Sequence, residues 1–123
     1  MDLLKDLVAA SATPLVLSIL KEGDSYGYAI IKRVKDLSEE EMNWTDGMLY
    51  PVLHRLEKQR YIDSYWQMSE TGRKRKYYTL TREGGDNLED IKSQWRLVNR
   101  TLNRAWEMVF WIQSEGAYCN GKE

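Results

Sequence analysis

Residues 45–80 read TDGMLYPVLHRLEKQRYIDSYWQMSETGRKRKYYTL, and the change of period inside this stretch decides the fold. In its first part Leu49, Val52, Leu53 and Leu56 recur at helical spacing. Thr45 or Asp46 is the expected N-cap, and the helix is expected to end near Gln59. Pro51 falls near the first turn, where few backbone hydrogen bonds are lost. Then the pattern becomes strand-like. Tyr61–Met68 and Lys74–Leu80 are rich in aromatic and β-branched residues and flank a glycine-containing loop, Ser69–Arg73. This is the signature of a β-hairpin.

Upstream, residues 2–21 are expected to form a first helix with a kink or restart at Pro14, which lacks the N–H a helix needs. Its two apolar faces call for two packing partners. Gly23 ends it, and Asp24 or Ser25 is expected to cap a second helix that runs to about Leu37. Gly27, Ile30, Ile31, Val34 and Leu37 form the buried stripe of that helix. Residues 38–44 make a linker with an acidic run, Glu39–Glu41. It is longer than the roughly 3–4-residue turn of a strict helix-turn-helix.

Downstream, Thr81 is expected to cap a last helix from Arg82 to Gln113. Its apolar residues Leu88, Ile91, Trp95, Val98, Leu102, Ala105, Val109 and Ile112 alternate at spacings of three and four. That is an unbroken heptad pattern, and such a helix of roughly 45 Å asks for a partner. The expected dimer contact is therefore Leu3, Leu88, Ile91, Trp95, Val98, Leu102, Ala105 and Val109. The fold class is mostly α with a small β-hairpin, a winged helix-turn-helix followed by a long dimerisation helix. The expected organisation is a DNA-binding domain at 1–80 (residues 1–21 sharing in the dimer), the dimerisation helix at 81–113 and a flexible tail at 114–123.

Composition narrows the function. Cys119 is the only cysteine, so no intramolecular disulfide forms, and no signal peptide or membrane-length apolar run is present, which makes the cytoplasm the expected compartment. The net charge of −1 is unhelpful to nucleic-acid binding, but residues 42–82 carry eight basic residues against four acidic ones. Local charge decides where a phosphate backbone sits. With the leucine stripe of the third helix turned to the core, Asp46, Gly47, Tyr50, Pro51, His54 and Arg55 face outward, with Thr45 at the start. The N-terminal residues of such a helix reach base edges. Arg73, Lys74, Arg75 and Lys76 place four successive cations at the hairpin loop and its exit, a repulsive arrangement that phosphate neutralisation explains. Ser25, Tyr26, Tyr28 and Lys32 at the start of the second helix are placed for backbone contacts, with Tyr26 and Tyr28 equally open to a core role.

Trp95, with Asn99 one turn on, is a candidate slot for a flat aromatic effector beside Leu7, Ala10 and Pro14 of the first helix; the alternative is a plain packing role in a dimer core. His54 is the only histidine, and no nucleophile–base pair, metal-ligand cluster or phosphate loop accompanies it. No metal or cofactor is expected, and an enzyme is disfavoured. A winged-helix protein-interaction module without DNA activity, or a regulator without ligand, are the competing readings; the cationic wing argues against the first.

Three motifs in order, Asp24–Tyr28 (DSYGY), Gly47–Glu57 (GMLYPVLHRLE) and Gly72–Thr81 (GRKRKYYTLT), resemble the PadR family of bacterial transcription regulators. The resemblance spans roughly residues 12 to 112, and the single long C-terminal helix is similar to the smaller PadR-like subfamily. It implies a winged helix, a homodimer built through the first and last helices, an inverted-repeat operator in double-stranded DNA, and repression as the usual outcome. It also implies a response to phenolic compounds, drugs or other hydrophobic small molecules. Carried over by motif, Tyr26, Tyr28, Tyr50 and Arg73–Lys76 become the DNA contacts. The chain departs from the family where relatives commonly end the recognition helix on a glycine; here the segment is Lys58-Gln-Arg-Tyr61. A non-glycine in a left-handed cap costs on the order of 1 kcal/mol, so a differently built end is expected. Gly84-Gly85 is expected to loosen the first turn of the last helix.

Overall fold

A computed structural model describes residues 1–119, with side-chain surroundings through residue 107. The elements are α1 (Lys5–Glu22), β1 (Ser25–Tyr26), α2 (Gly27–Leu37), α3 (Asp46–Lys58), β2 (Ile62–Met68), β3 (Lys74–Leu80) and α4 (Arg82–Cys119). Two compact units result, Met1–Glu89 and Asp90 onward.

The first unit is a winged helix. Val16, Leu17, Ile30, Leu49, Leu53, Leu56 and Ile62 are fully buried, so α1, α2, α3 and the sheet share one core. Thr45 caps α3, its Oγ1 accepting from the Met48 amide at 3.3 Å. The hairpin forms as expected, in the register Ile62↔Leu80 to Met68↔Lys74. A third strand joins it: Ser25 and Tyr26 pair with Tyr78 and Tyr77, giving the antiparallel order β1-β3-β2. This corrects the expectation that Ser25 or Asp24 caps α2. The N-cap is Tyr26, which is extended because its backbone pairs with β3, and it gives no side-chain cap.

Other expectations shift in detail. α1 starts at Lys5 and continues through Pro14 as one helix, anchored by Ala12, Val16, Leu17, Ile19 and Leu20 in the core. The α2 stripe ends at Val34, and Leu37 is exposed, because the chain turns away at Ser38. In the acidic linker Glu39 and Glu40 take positive φ, which brings the following Trp44 into the core.

The C-terminus of α3 corrects the expectation of a differently built end: it closes in a left-handed cap, made with Arg60 at φ 64°. The Arg60 amide donates to the Glu57 carbonyl and the Tyr61 amide to the Leu56 carbonyl, both at 3.0 Å, which is a Schellman arrangement. Its position is fixed from the far side of the hairpin. The Thr81 hydroxyl donates to the Arg60 carbonyl at 2.7 Å and accepts from the Gly84 amide at 3.0 Å, while the Thr81 amide donates to the Tyr61 carbonyl at 3.1 Å. Gly84 is buried directly against that Tyr61 carbonyl, where a Cβ would overlap the oxygen. It permits a close approach rather than loosening the turn.

Leu88 is fully buried in the first unit, which corrects its assignment to the dimer stripe. In the second unit, Trp95, Val98 and Leu102 are exposed, as are Asn99 and Ala105. α4 continues to Cys119 rather than ending at Gln113; a single Gly116 among Ser114, Glu115 and Ala117 costs only about 1 kcal/mol and does not break it. Residues 120–123 and the surroundings of Val109 lie outside the described part.

Candidate nucleic-acid interface

The N-terminal half of α3 is exposed at Thr45, Asp46, Gly47, Tyr50, Pro51 and His54, while Leu49, Val52 and Leu53 point inward. Tyr50 and His54 lie one turn apart, with ring centroids 6.3 Å apart. The Tyr50 ring covers the first residue of α2. A Cβ on Gly27 would meet the Tyr50 hydroxyl at 2.5 Å, so glycine there lets α3 close onto α2. This contact fixes the relative position of the two helices at the exposed face. Beyond it on α2, Tyr28 is 72% exposed, which rules out the core role left open for it, and Lys32 is exposed as well.

Arg55 takes a different direction. Its guanidinium donates to Thr13 Oγ1 on α1 at 2.6 Å, on the side of α3 that carries Met48 and Val52. The structure therefore does not bring Arg55 together with Tyr50 and His54. Helical periodicity allows either side for a residue flanking the buried stripe.

The sheet gives the four wing cations unequal surroundings. Strand alternation sends Arg75 to the outer face, where a row of rings crosses all three strands. Tyr26 meets Tyr77 edge-on at 5.3 Å, and Tyr77 stacks on Tyr65 at 5.7 Å. The Arg75 guanidinium lies 4.0 Å from the Tyr26 centroid, a cation–π contact that holds both groups. Tyr26 is thus half-buried, and its ring is a wing contact as well as a helix-start residue. Lys76 lies on the inner face, 3.9 Å from Glu57 and 5.5 Å from the Tyr78 ring centroid. Arg73 and Lys74 are exposed, and among the described residues neither has an ion-pair partner. Ser25 is half-buried in β1.

Electrostatics anchor the base of this sheet. Thr79 and Tyr65 donate hydrogen bonds to Asp24, the Tyr65 bond at 2.6 Å, and together they hold the Asp24 carboxyl below its usual range. The same bond pushes the Tyr65 phenol up. Tyr78 is pushed up to about 12, first by burial and then by Tyr50 and Glu57, so it stays neutral at working pH. The Tyr65–Asp24 bond and the ring row escaped sequence reading. The aromatic pairs Tyr65-Trp66 and Tyr77-Tyr78, one ring of each on either face, were the available signal, but their partner strand is only two residues long.

A family model described as the transcriptional regulator PadR-like family matches residues 16–90. A transcriptional regulator from Clostridium thermocellum has a TM-score of 0.74 at 35% identity, covering 81% of this chain and 97% of that one. A PadR family transcription regulator from Clostridium difficile gives 0.70 at 38% identity, with 78% and 98% covered. The transcriptional regulator YqjI of Escherichia coli is 30% identical over 88 residues, which are 72% of this chain and 41% of that protein. Members of the matched family are transcription regulators, not enzymes. The winged helix, the motif order and these likenesses agree, and the chain belongs to the PadR-like family of transcriptional regulators.

Proposed function

We propose that the chain is a cytoplasmic repressor that binds an inverted-repeat operator as a homodimer. The observation that carries this reading is the exposed N-terminal half of α3, with Tyr50 and His54 uncovered, in the same compact unit as Arg73 and Lys74 of the wing, which have no ion-pair partner among the described residues. α3 enters the major groove, with Asp46, Gly47, Tyr50, Pro51 and His54 at the base edges and Thr45 at the phosphate. Arg73 and Lys74 neutralise backbone charge, and Ser25, Tyr28 and Lys32 add contacts from the start of α2. Tyr26 and Arg75 act as one stacked unit, and Lys76 contributes less because Glu57 already faces it.

The dimer forms through Ile91, Trp95, Val98, Leu102, Ala105 and Val109 of α4, of which Trp95, Val98, Leu102 and Ala105 are exposed and Ile91 half-buried, with a separate contribution from Leu3 ahead of α1. A shallow groove of about 260 Å³ runs along Trp95, Val98, Asn99 and Leu102, and a flat aromatic effector sits there between two copies.

The test is a gel-shift titration on the chain's own upstream DNA, with Tyr28→Ala as the probe variant, because Tyr28 is exposed and its loss leaves the core intact. Saturable, salt-sensitive binding by a dimer is expected, weakened about tenfold in the variant. No specific shift there or across a genomic fragment pool overturns the reading.

A further inference from the structure

The hairpin has one face that its own fold leaves uncovered toward the tip. Residues directly paired across antiparallel strands point to the same side. Trp66, paired with Lys76, and Met68, paired with Lys74, therefore lie on the face that carries the buried Ile62 and Tyr78. α3 covers this face only near its base, where the Ser64 hydroxyl donates to Glu57 and Lys76 stands 3.9 Å from the same carboxylate. Beyond that point Trp66 is 64% exposed and Met68 58%. The outer face is built differently. There Tyr26, Tyr77 and Tyr65 cover one another, whereas Trp66 stacks on no ring among the described residues. A single exposed apolar residue is ordinary. A large indole and a thioether side by side, each opposite a lysine, add nothing to a two-stranded tip that has no layer to pack them against.

This face continues the exposed side of α3. Tyr78, the next inner-face residue toward the base from Lys76, is acted on by both Tyr50 and Glu57 of α3. The exposed side of α3 and the inner face of the wing thus border one surface within the first unit. Met68 lies four residues past Ser64 in β2, roughly 13 Å further along the strand. A duplex seated with its major groove on α3 presents one phosphate strand and then its minor groove to that part of the wing. Lysine suits the phosphates; an indole and a thioether do not. The apolar surface that a duplex offers there is its deoxyribose rings, and apolar side chains recur in minor-groove contacts.

We propose that Trp66 and Met68 form a non-ionic DNA contact, lying against the deoxyribose walls of the minor groove beside the α3 site while Lys74 holds the flanking phosphate. The wing then has two separable parts, an electrostatic one in Arg73 and Lys74 and an apolar one in Trp66 and Met68. Sugars carry no sequence, so the apolar part adds affinity for any duplex alike. The place beside α3 rests on the proposed operator binding; the apolar contact with duplex DNA does not.

The experiment measures fluorescence anisotropy of two labelled duplexes, a fragment of the chain's own upstream DNA and an unrelated sequence of the same length, across a salt series. Trp66→Ala is expected to weaken binding to both about tenfold, the worth of half-burying a large apolar side chain, and Met68→Ala about threefold. The loss is expected to be equal at every salt concentration, leaving the slope of log affinity against log salt unchanged, because no phosphate contact is removed. Trp66→Phe is expected to keep most of the affinity. Thermal melts of the variants are expected to match the parent, since both side chains are exposed. Full duplex affinity in Trp66→Ala overturns the proposal, and so does a loss that fades at high salt with a reduced slope. A larger loss on a single-stranded oligonucleotide than on the duplex also overturns it, since the indole then stacks on unpaired bases. A ¹⁵N indole signal of Trp66, assigned with Trp66→Phe, that moves with protein concentration in the absence of DNA overturns it in favour of a second copy of the chain. Equal Trp66-dependent binding to both duplexes with no preference for the upstream fragment sinks the operator reading and leaves this one standing, so the two fail separately.

Discussion

The two parts of α4 carry one apolar pattern and meet opposite environments. Leu88, in the first unit, is 0% exposed, whereas Trp95, Val98 and Leu102, in the second, are 39%, 50% and 42% exposed. The same alternation of three and four residues thus serves a core in one part and an uncovered face in the other. Periodicity tells that a face will be buried; it does not tell by whom.

The sharpest way to break this contrast is to truncate both faces. Leu88→Ala removes fully buried atoms and is expected to cost about 2–5 kcal/mol of unfolding free energy, read by thermal or denaturant melts. Leu102→Glu is expected to leave the first unit folded and to halve the sedimenting mass at micromolar concentration. If Leu102→Glu melts the winged helix as strongly as Leu88→Ala while the mass stays unchanged, the contrast is wrong.

A smaller effect separates the wing from both. Arg73→Ala with Lys74→Ala is expected to reduce the slope of log affinity against log salt by about 2, with mass and melting unchanged, whereas Lys76→Ala changes it by less than 1. The difference follows from Glu57, which already stands beside Lys76. Equal slopes for the two variants would remove the distinction between outward and inward wing cations.

The smallest effect is at the α3 cap. Arg60 holds φ 64°, so Arg60→Gly is expected to stabilise the first unit by up to about 1 kcal/mol, with DNA affinity and dimer mass unchanged. A destabilised variant would mean that the arginine side chain contributes more than its backbone conformation costs.

Much of this molecule is legible in its sequence, and the illegible parts share a cause. α3, its Thr45 cap and the hairpin follow from local period and capping chemistry. So does the existence of α4. β1 is not local: two residues become a strand only because Tyr77 and Tyr78 are there to pair with them. Arg55 flanks the buried stripe, and only the position of Thr13 decides which way it turns. Trp44 follows an acidic run and gives no sign of burial until two left-handed residues redirect the chain. The candidate interface divides in the same way. The exposure of Tyr50 and His54 could be read from the helical pattern, but the division of the wing cations needed the strand register.

The joint at Thr81 bears on how this architecture varies. One hydroxyl and one amide tie the end of α3 to the start of α4, and Gly84 lets the two chain ends meet at contact distance. The hairpin between them is therefore a closed insertion whose base is fixed independently of its tip. Lengthening or shortening the wing by a pair of residues at residues 69–73 preserves strand alternation and leaves the joint untouched. The reach of the wing can thus drift from one descendant to another as a modular trait, while the pairing of helices beneath it is inherited unchanged.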